Sequence, residues 1–291
     1  MYKSIEDILS QAKEKDKEFW EIVLETDMES RCVSMEESMR TMEQMLEAME
    51  YADSKYDGNL RSQSKMSGGD GKLLEEYNLS GKNICGDFLG KVMERAIKMG
   101  ESNACMRRIV AAPTAGSCGV VPAVLLSYKD YFDVPKDKLI HALYVAAGIG
   151  KVIGENASIS GAYGGCQAEI GTASAMASGA LVYLQGGGNE AIANAAAFSL
   201  KNMLGLTCDP VGGLVEVPCI KRNSHGAVNA AASAQLALAG IKSAISPDDV
   251  IDSMRRIGNE MPADVKETGK GGLAVTESAK KNAGKMSFFA I

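Results

Sequence analysis

Cys208 and Cys219 stand eleven residues apart in GLTCDPVGGLVEVPCIKRNSHGA, residues 205–227. Asp209-Pro210 follows the first and Pro218 precedes the second, with glycines at 205, 212, 213 and 226. Proline fixes φ and removes a donor, whereas glycine lets backbone approach a bulky group closely. A loop that holds two thiols stiffly and leaves room between them suits a metal or a cluster better than it suits packing. The spacing C-x(10)-C is neither the C-x-x-C of zinc ribbons nor a ferredoxin run. A third thiol, Cys166, lies in NASISGAYGGCQAEIG, residues 156–171, a second glycine- and serine-rich loop. Cys32, Cys85 and Cys105 sit in helical or charged surroundings. From the residues alone, three metal ligands and three ordinary buried cysteines remain open readings.

Four stretches, GCQAEIG, LTCDPVGGLVEVPCIKRN, APTAGSCGVVP and KMSGGDG, together resemble the α subunit of the iron–sulfur-dependent L-serine dehydratases. The resemblance runs from about Lys65 to the C-terminus. It implies a [4Fe–4S] cluster held by Cys166, Cys208 and Cys219, with one iron left open to act on the serine hydroxyl without redox change. The products would be pyruvate and ammonia. It also implies a β subunit, since only about sixty residues precede the first catalytic motif, too few for the β-type domain that accompanies this one in the family. The catalytic base is expected on that partner. Fused family members end in a cysteine that can cap the open iron, whereas this chain ends SFFAI. Such self-inhibition is therefore not expected, and Phe288-Phe289 could dock on the partner.

The remaining polar loops are candidate substrate contacts. Thr114, Ala115, Gly116 and Cys118 belong to a loop feeding a helix whose N-terminal N–H groups could receive a carboxylate. Ser67, Gly68 and Gly69 lie in KMSGGDGK, residues 65–72, a second candidate anion cradle; it lacks the spacing of a nucleotide-binding P-loop. Asn156, with Ser158 and Ser160, could bond substrate or cap local turns. His141 reads as structural, while His225 could equally face a cluster or the surface. Two related readings stay in view: an iron–sulfur lyase that expels sulfide from cysteine, and a non-enzymatic scaffold holding a structural zinc. A pyridoxal-phosphate dehydratase is disfavoured because it normally needs an α/β scaffold.

These loops must be carried by helices. Of 291 residues, 46% are hydrophobic but only 5% aromatic, so small aliphatic residues and the 16 methionines must build the core. Ser4 with Asp7 and Ser34 with Glu37 are helix-capping pairs, and Ser246-Pro247 opens another helix. Met35, Met39, Met42, Leu46 and Met49 form a stripe expected to face the core or a neighbouring subunit. Helices are expected over 85–101, 119–131, 136–152, 166–184, 190–204 and 227–244. No alternating strand pattern is found. The expectation is an all-α, alanine- and glycine-rich helical bundle with catalytic loops between helices. The polar stretch 57–71 suggests a helical leader, 1–60, ahead of an iron–sulfur catalytic domain, 61–291. A net charge of −6 argues against nucleic acid. The charged N-terminus lacks a secretory h-region, and the uncharged stretches 170–189 and 223–241 are too weakly apolar to span a membrane. Seven cysteines without such a signal favour reduced thiols in a cytoplasmic protein.

Overall fold

The computed structural model describes residues 1–284; Phe288 and Phe289 fall outside them. Among the described residues thirteen α-helices follow in order: α1 (Ile5–Lys15), α2 (Phe19–Arg31), α3 (Met35–Ser54), α4 (Asp70–Leu79), α5 (Gly86–Ala104), α6 (Val120–Phe132) and α7 (Lys136–Asn156). Then come α8 (Gly161–Gly164), α9 (Thr172–Leu184), α10 (Asn189–Lys201), α11 (Cys219–Leu238), α12 (Pro247–Glu260) and α13 (Glu277–Gly284). The fold is all-α; among the described residues the one β-type pairing is an isolated bridge between Cys208 and Lys266.

The capping pairs act as expected. Ser4 Oγ accepts from Asp7 N at 2.9 Å, Ser34 Oγ from Glu37 N at 3.2 Å, and Ser246 Oγ from Asp249 N at 3.1 Å. Each satisfies a donor that the first helical turn would otherwise leave open. The start of α1 receives a second acceptor from far along the chain. Asp248, in the first turn of α12, takes the amides of Ile5 and Glu6 at 2.9 and 3.0 Å.

Helix α9 runs through the centre, buried on nearly every side between α6, α7, α10 and α11. Its alanines, serines and Gly179 allow this approach: a Cβ on Gly179 would lie 2.3 Å from Ile149 Cδ1 of α7. On the same helix α7, Gly148 admits Val23 of α2, with only 2.4 Å between its ideal Cβ and Cγ2. Helices α1, α2 and α3 therefore share one apolar core with the body. Some polar side chains inside it are paired across helices, although the hydroxyls of Thr172, Ser199 and Ser233 have no hydrogen-bond partner among the described residues. Asn229 of α11 donates to Ser174 Oγ at 2.8 Å and to Ser199 O at 3.0 Å, joining α9, α10 and α11. Such a satisfied network fixes one mutual rotation of helices that bare alanine faces would leave loosely specified.

Several boundaries differ from the sequence expectation, among them the ends of α10 at Lys201 and α11 at Leu238, where the pattern predicts 204 and 244. Helix α7 continues through Gly154 to Asn156, because packing outweighs the roughly 1 kcal/mol helix cost of one glycine. Helix α11 begins at Cys219, ahead of the expected 227, since Pro218 precedes it and Asn223 turns inward. Helix α4, absent from the sequence expectation, begins at the end of the polar 57–71 stretch, its first amides held by Glu101 of α5. The methionine stripe divides: Met49 is buried, Met39 and Met42 pack against the core, and Met35 is exposed.

Candidate metal and substrate centre

Cys166 sits where α8 meets a π-helical turn, Gln167–Gly171, that leads into α9. A π-turn inserts an extra residue per turn and is often found at functional sites. Here Gln167 locks the turn in place. Its backbone amide donates to Leu206 O at 3.0 Å, its side-chain carbonyl accepts from Gly205 N at 2.9 Å, and its Nε2 donates to Met254 O at 3.0 Å. Those bonds bring the Cys166 loop onto the segment that carries Cys208. Cys208 is pinned in turn: its amide donates to Val265 O at 2.8 Å, and its carbonyl accepts from Glu267 N at 2.6 Å.

One ligand atom each from Cys166, Glu169 and Cys208 lies within 4.8 Å of the other two. All three residues are buried. Cys219, the first residue of α11, is buried beside them, close enough that charge on Cys166 pushes its thiol further up. Burial is the main cause of that rise and carries the Cys219 thiol up to about 12. Cys166 goes the other way. A hydrogen bond from Cys208 and then the Arg222 guanidinium favour its thiolate, so Cys208 keeps its proton and its own pKa rises. Arg222 also donates to Thr207 O at 2.7 Å and to Asp209 at 2.9 Å, bracing the Cys208 loop from beneath.

The expected substrate loop lies against this group. Thr114 Oγ1 donates to Glu169 Oε1 at 2.6 Å. A Cβ on Gly116 would come within 2.9 Å of the same carboxylate oxygen. Asn223 of α11 ties the loop to Cys219: its Nδ2 donates to Gly116 O at 2.8 Å and Cys219 O at 3.0 Å, while its Oδ1 accepts from Gly119 N at 2.8 Å. The Gly119 amide, expected to be available to an anion, is thus taken by Asn223. Burial raises the pKa of Glu169, opposed by the Thr114 hydrogen bond and reinforced by Glu267.

Other candidate residues lie elsewhere or are already engaged. The Cys118 thiol points at Met99 O, 3.8 Å away in α5, and burial lifts its pKa to about 12. Asn156 is exposed, and its amide is spent on Lys3 O at 2.7 Å and Val152 O at 2.8 Å, which makes it a helix-end cap. In the 65–72 loop the amides of Asp70 and Gly71 donate to the Glu101 carboxylate at 2.8 and 3.1 Å, so an internal anion fills that cradle. Gly68 and Gly69 have φ of 122° and 87°, conformations that favour glycine. The buried Ser67 hydroxyl has no hydrogen-bond partner. His141 stacks on Trp20 at 3.6 Å between centroids, and His225 is exposed on α11.

Glu169, Asn223, Arg222 and Glu216 were not singled out from sequence. Glu169 lies within GCQAEIG, three residues past Cys166, and Asn223 follows Cys219 by one helical turn. Glu216 accepts from Ser62 Oγ at 2.7 Å and Ser64 Oγ at 2.8 Å, fastening the loop before α4 to the Cys219 segment.

A buried thiol–carboxylate group framed by loops of an all-α fold defines a candidate metal-assisted catalytic centre. Comparison with known proteins narrows this further. Residues 14–274 match the family model described as serine dehydratase alpha chain, and the chain belongs to that family. It is 44% identical over 281 residues to the probable L-serine dehydratase alpha chain of Bacillus subtilis (strain 168), covering 97% of this chain and 94% of the relative. It is 40% identical over 285 residues to the L-serine dehydratase alpha chain of Peptoniphilus asaccharolyticus, covering 97% of each. Against the L-serine dehydratase 1 of Escherichia coli (strain K12), 44% identity extends over 182 residues, 62% of this chain and 40% of that one.

Proposed function

We propose that this chain is the α subunit of a cytoplasmic, [4Fe–4S]-dependent L-serine dehydratase, active with a β subunit, that converts L-serine to pyruvate and ammonia. The observation that carries this reading is the meeting of Cys166 and Cys208, from separate loops, in one buried group beside Cys219. The donor set fits the cluster. Thiolates are the usual ligands of iron–sulfur clusters, and the missing side chain of Gly161 leaves space beside the Cys208 sulfur. Cys166, Cys208 and Cys219 would hold it. When bound through three protein thiolates, such a cluster supplies an open iron site able to polarise the substrate hydroxyl.

The chain's own residues shape the rest. Thr114 orients the Glu169 carboxylate, and Asn223 keeps the Gly116 backbone beside it. The buried walls exclude water, which strengthens every electrostatic contact to a bound amino acid. Loss of the Cα proton to a base on the partner chain, with departure of the β-hydroxyl, gives aminoacrylate. Tautomerisation and hydrolysis then yield the products. No described helix is long and apolar enough to cross a membrane.

The test is anaerobic purification of the chain with its β partner, followed by iron and sulfide analysis and an assay with L-serine and L-cysteine. Equal iron and acid-labile sulfide with serine-dependent pyruvate is the expected result. A colourless zinc protein, or sulfide release from cysteine with serine untouched, would overturn the proposal.

A further inference from the structure

Two carboxylates, Glu169 and Glu267, gather on one side of the thiol group, and the Arg222 guanidinium is engaged with Cys166 and Asp209. Glu169 is only 8% exposed, and its Oε1 takes the Thr114 hydroxyl. Its Oε2 has no hydrogen-bond or ion-pair partner among the described residues. The point where a Gly161 Cβ would stand is 3.1 Å from that oxygen, 3.3 Å from Glu267 Oε2 and 2.9 Å from Cys208 Sγ. Two carboxylates and a thiol therefore close in on the bare Cα of Gly161, more tightly than a methyl group there would allow. Arg222 turns its hydrogen bonds to Cys166, Asp209 and Thr207 O, none of them to Glu169. A buried carboxylate with an open oxygen is costly until a donor or cation reaches it.

We propose that Glu169 is the specificity residue for the α-ammonium of the substrate, with Glu267 adding negative field from beside Gly161. This rests on the reading that the chain acts on an L-α-amino acid. Of the three polar groups on such a substrate, the carboxylate is repelled by Glu169 and the hydroxyl is neutral. The ammonium alone is a cation, and it brings three N–H donors. A charge-assisted bond to Glu169 makes the centre select amino acids over the corresponding hydroxy acids. Thr114 is a positioning residue for this contact, because its 2.6 Å bond occupies Oε1 and leaves Oε2 as the oxygen without a hydrogen-bond partner among the described residues.

The experiment compares wild-type and E169Q chains, each assembled with the β partner and reconstituted anaerobically. Iron and sulfide content, KM and kcat for L-serine, and inhibition by L-glycerate, which carries a hydroxyl in place of the ammonium, are measured on both. E169Q is expected to hold the same iron and sulfide while its KM for serine rises about 10- to 100-fold. Its inhibition constant for L-glycerate should stay within about twofold, and E169D should recover part of the serine affinity. An unchanged KM in E169Q, with wild type consuming serine, overturns this inference alone. Loss of iron in E169Q also overturns it and assigns the carboxylate to the metal. Should E169Q not fold, wild type decides: L-glycerate binding as tightly as L-serine sinks the proposal. A folded, cluster-loaded wild type that leaves serine untouched removes the reading beneath it as well.

Discussion

The Cβ that Gly161 lacks would stand 2.9 Å from the Cys208 sulfur, bringing the α8 segment into contact with a loop far along the chain. The backbone of Gly161 shows no left-handed φ, so closeness and not conformational freedom is what demands glycine here. Gly161→Ala is accordingly expected to fold with unchanged helical circular dichroism but to retain much less iron after reconstitution. Normal iron content would show that the space beside Cys208 is unused.

The four buried cysteines are expected to separate into two kinds. Serine at 166, 208 or 219 should abolish iron and sulfide binding. Cys118→Ser should retain both, because that thiol faces Met99 O and lies outside the Cys166–Cys208 group. Metal analysis of the four variants checks this directly.

Glu216 joins two loops through one buried carboxylate, bonded to Ser62 and Ser64. Glu216→Ala leaves both hydroxyls without that acceptor and should cost about 1–3 kcal/mol. The loss should appear as faster hydrogen exchange across residues 57–69, with the α7–α9 core unchanged.

Packing at the centre leaves little room. Gly179→Ala would push a methyl group to 2.3 Å from Ile149 Cδ1 and 3.2 Å from Ile192 Cγ2. Overpacking of this kind costs about 1–3 kcal/mol, so thermal unfolding should occur several degrees lower. Scanning calorimetry of the metal-free protein isolates this effect from any change at the centre.

His141 is stacked on Trp20 and half-buried, and burial holds its pKa below the ordinary imidazole value. The unfolded chain therefore binds the proton more readily than the folded one. Its contribution to stability is complete above about pH 6.5 and declines as pH falls through and below that value. Denaturant midpoints measured between pH 7.5 and 5.5 should fall less steeply in His141→Gln than in wild type.

Much of the helical frame can be read from short-range pattern. Ser4, Ser34 and Ser246 mark helix starts because a cap and its N–H partner are three residues apart, and the bond forms within one turn. The same locality explains the errors. Nothing near Gly154 announces that α7 will continue, and α4 depends on the carboxylate of Glu101, thirty-one residues beyond Asp70. The thiols are visible as chemistry because proline and glycine surround them. Glu169 and Asn223 look ordinary in sequence, since a buried carboxylate or amide is defined by the neighbour it meets.

Residue order alone determines where turns are stiff, which faces are apolar and how many soft ligands are available, since caps, backbone restriction and helical period all act over a few positions. Tertiary structure decides that Cys166 and Cys208 meet, that Thr114 meets Glu169, and that Cys118 faces away. Those outcomes depend on how closely α9 packs against its neighbours and on Gln167 fastening two distant loops. They follow from side-chain volume and hydrogen-bond satisfaction across the whole core, quantities that no local stretch contains.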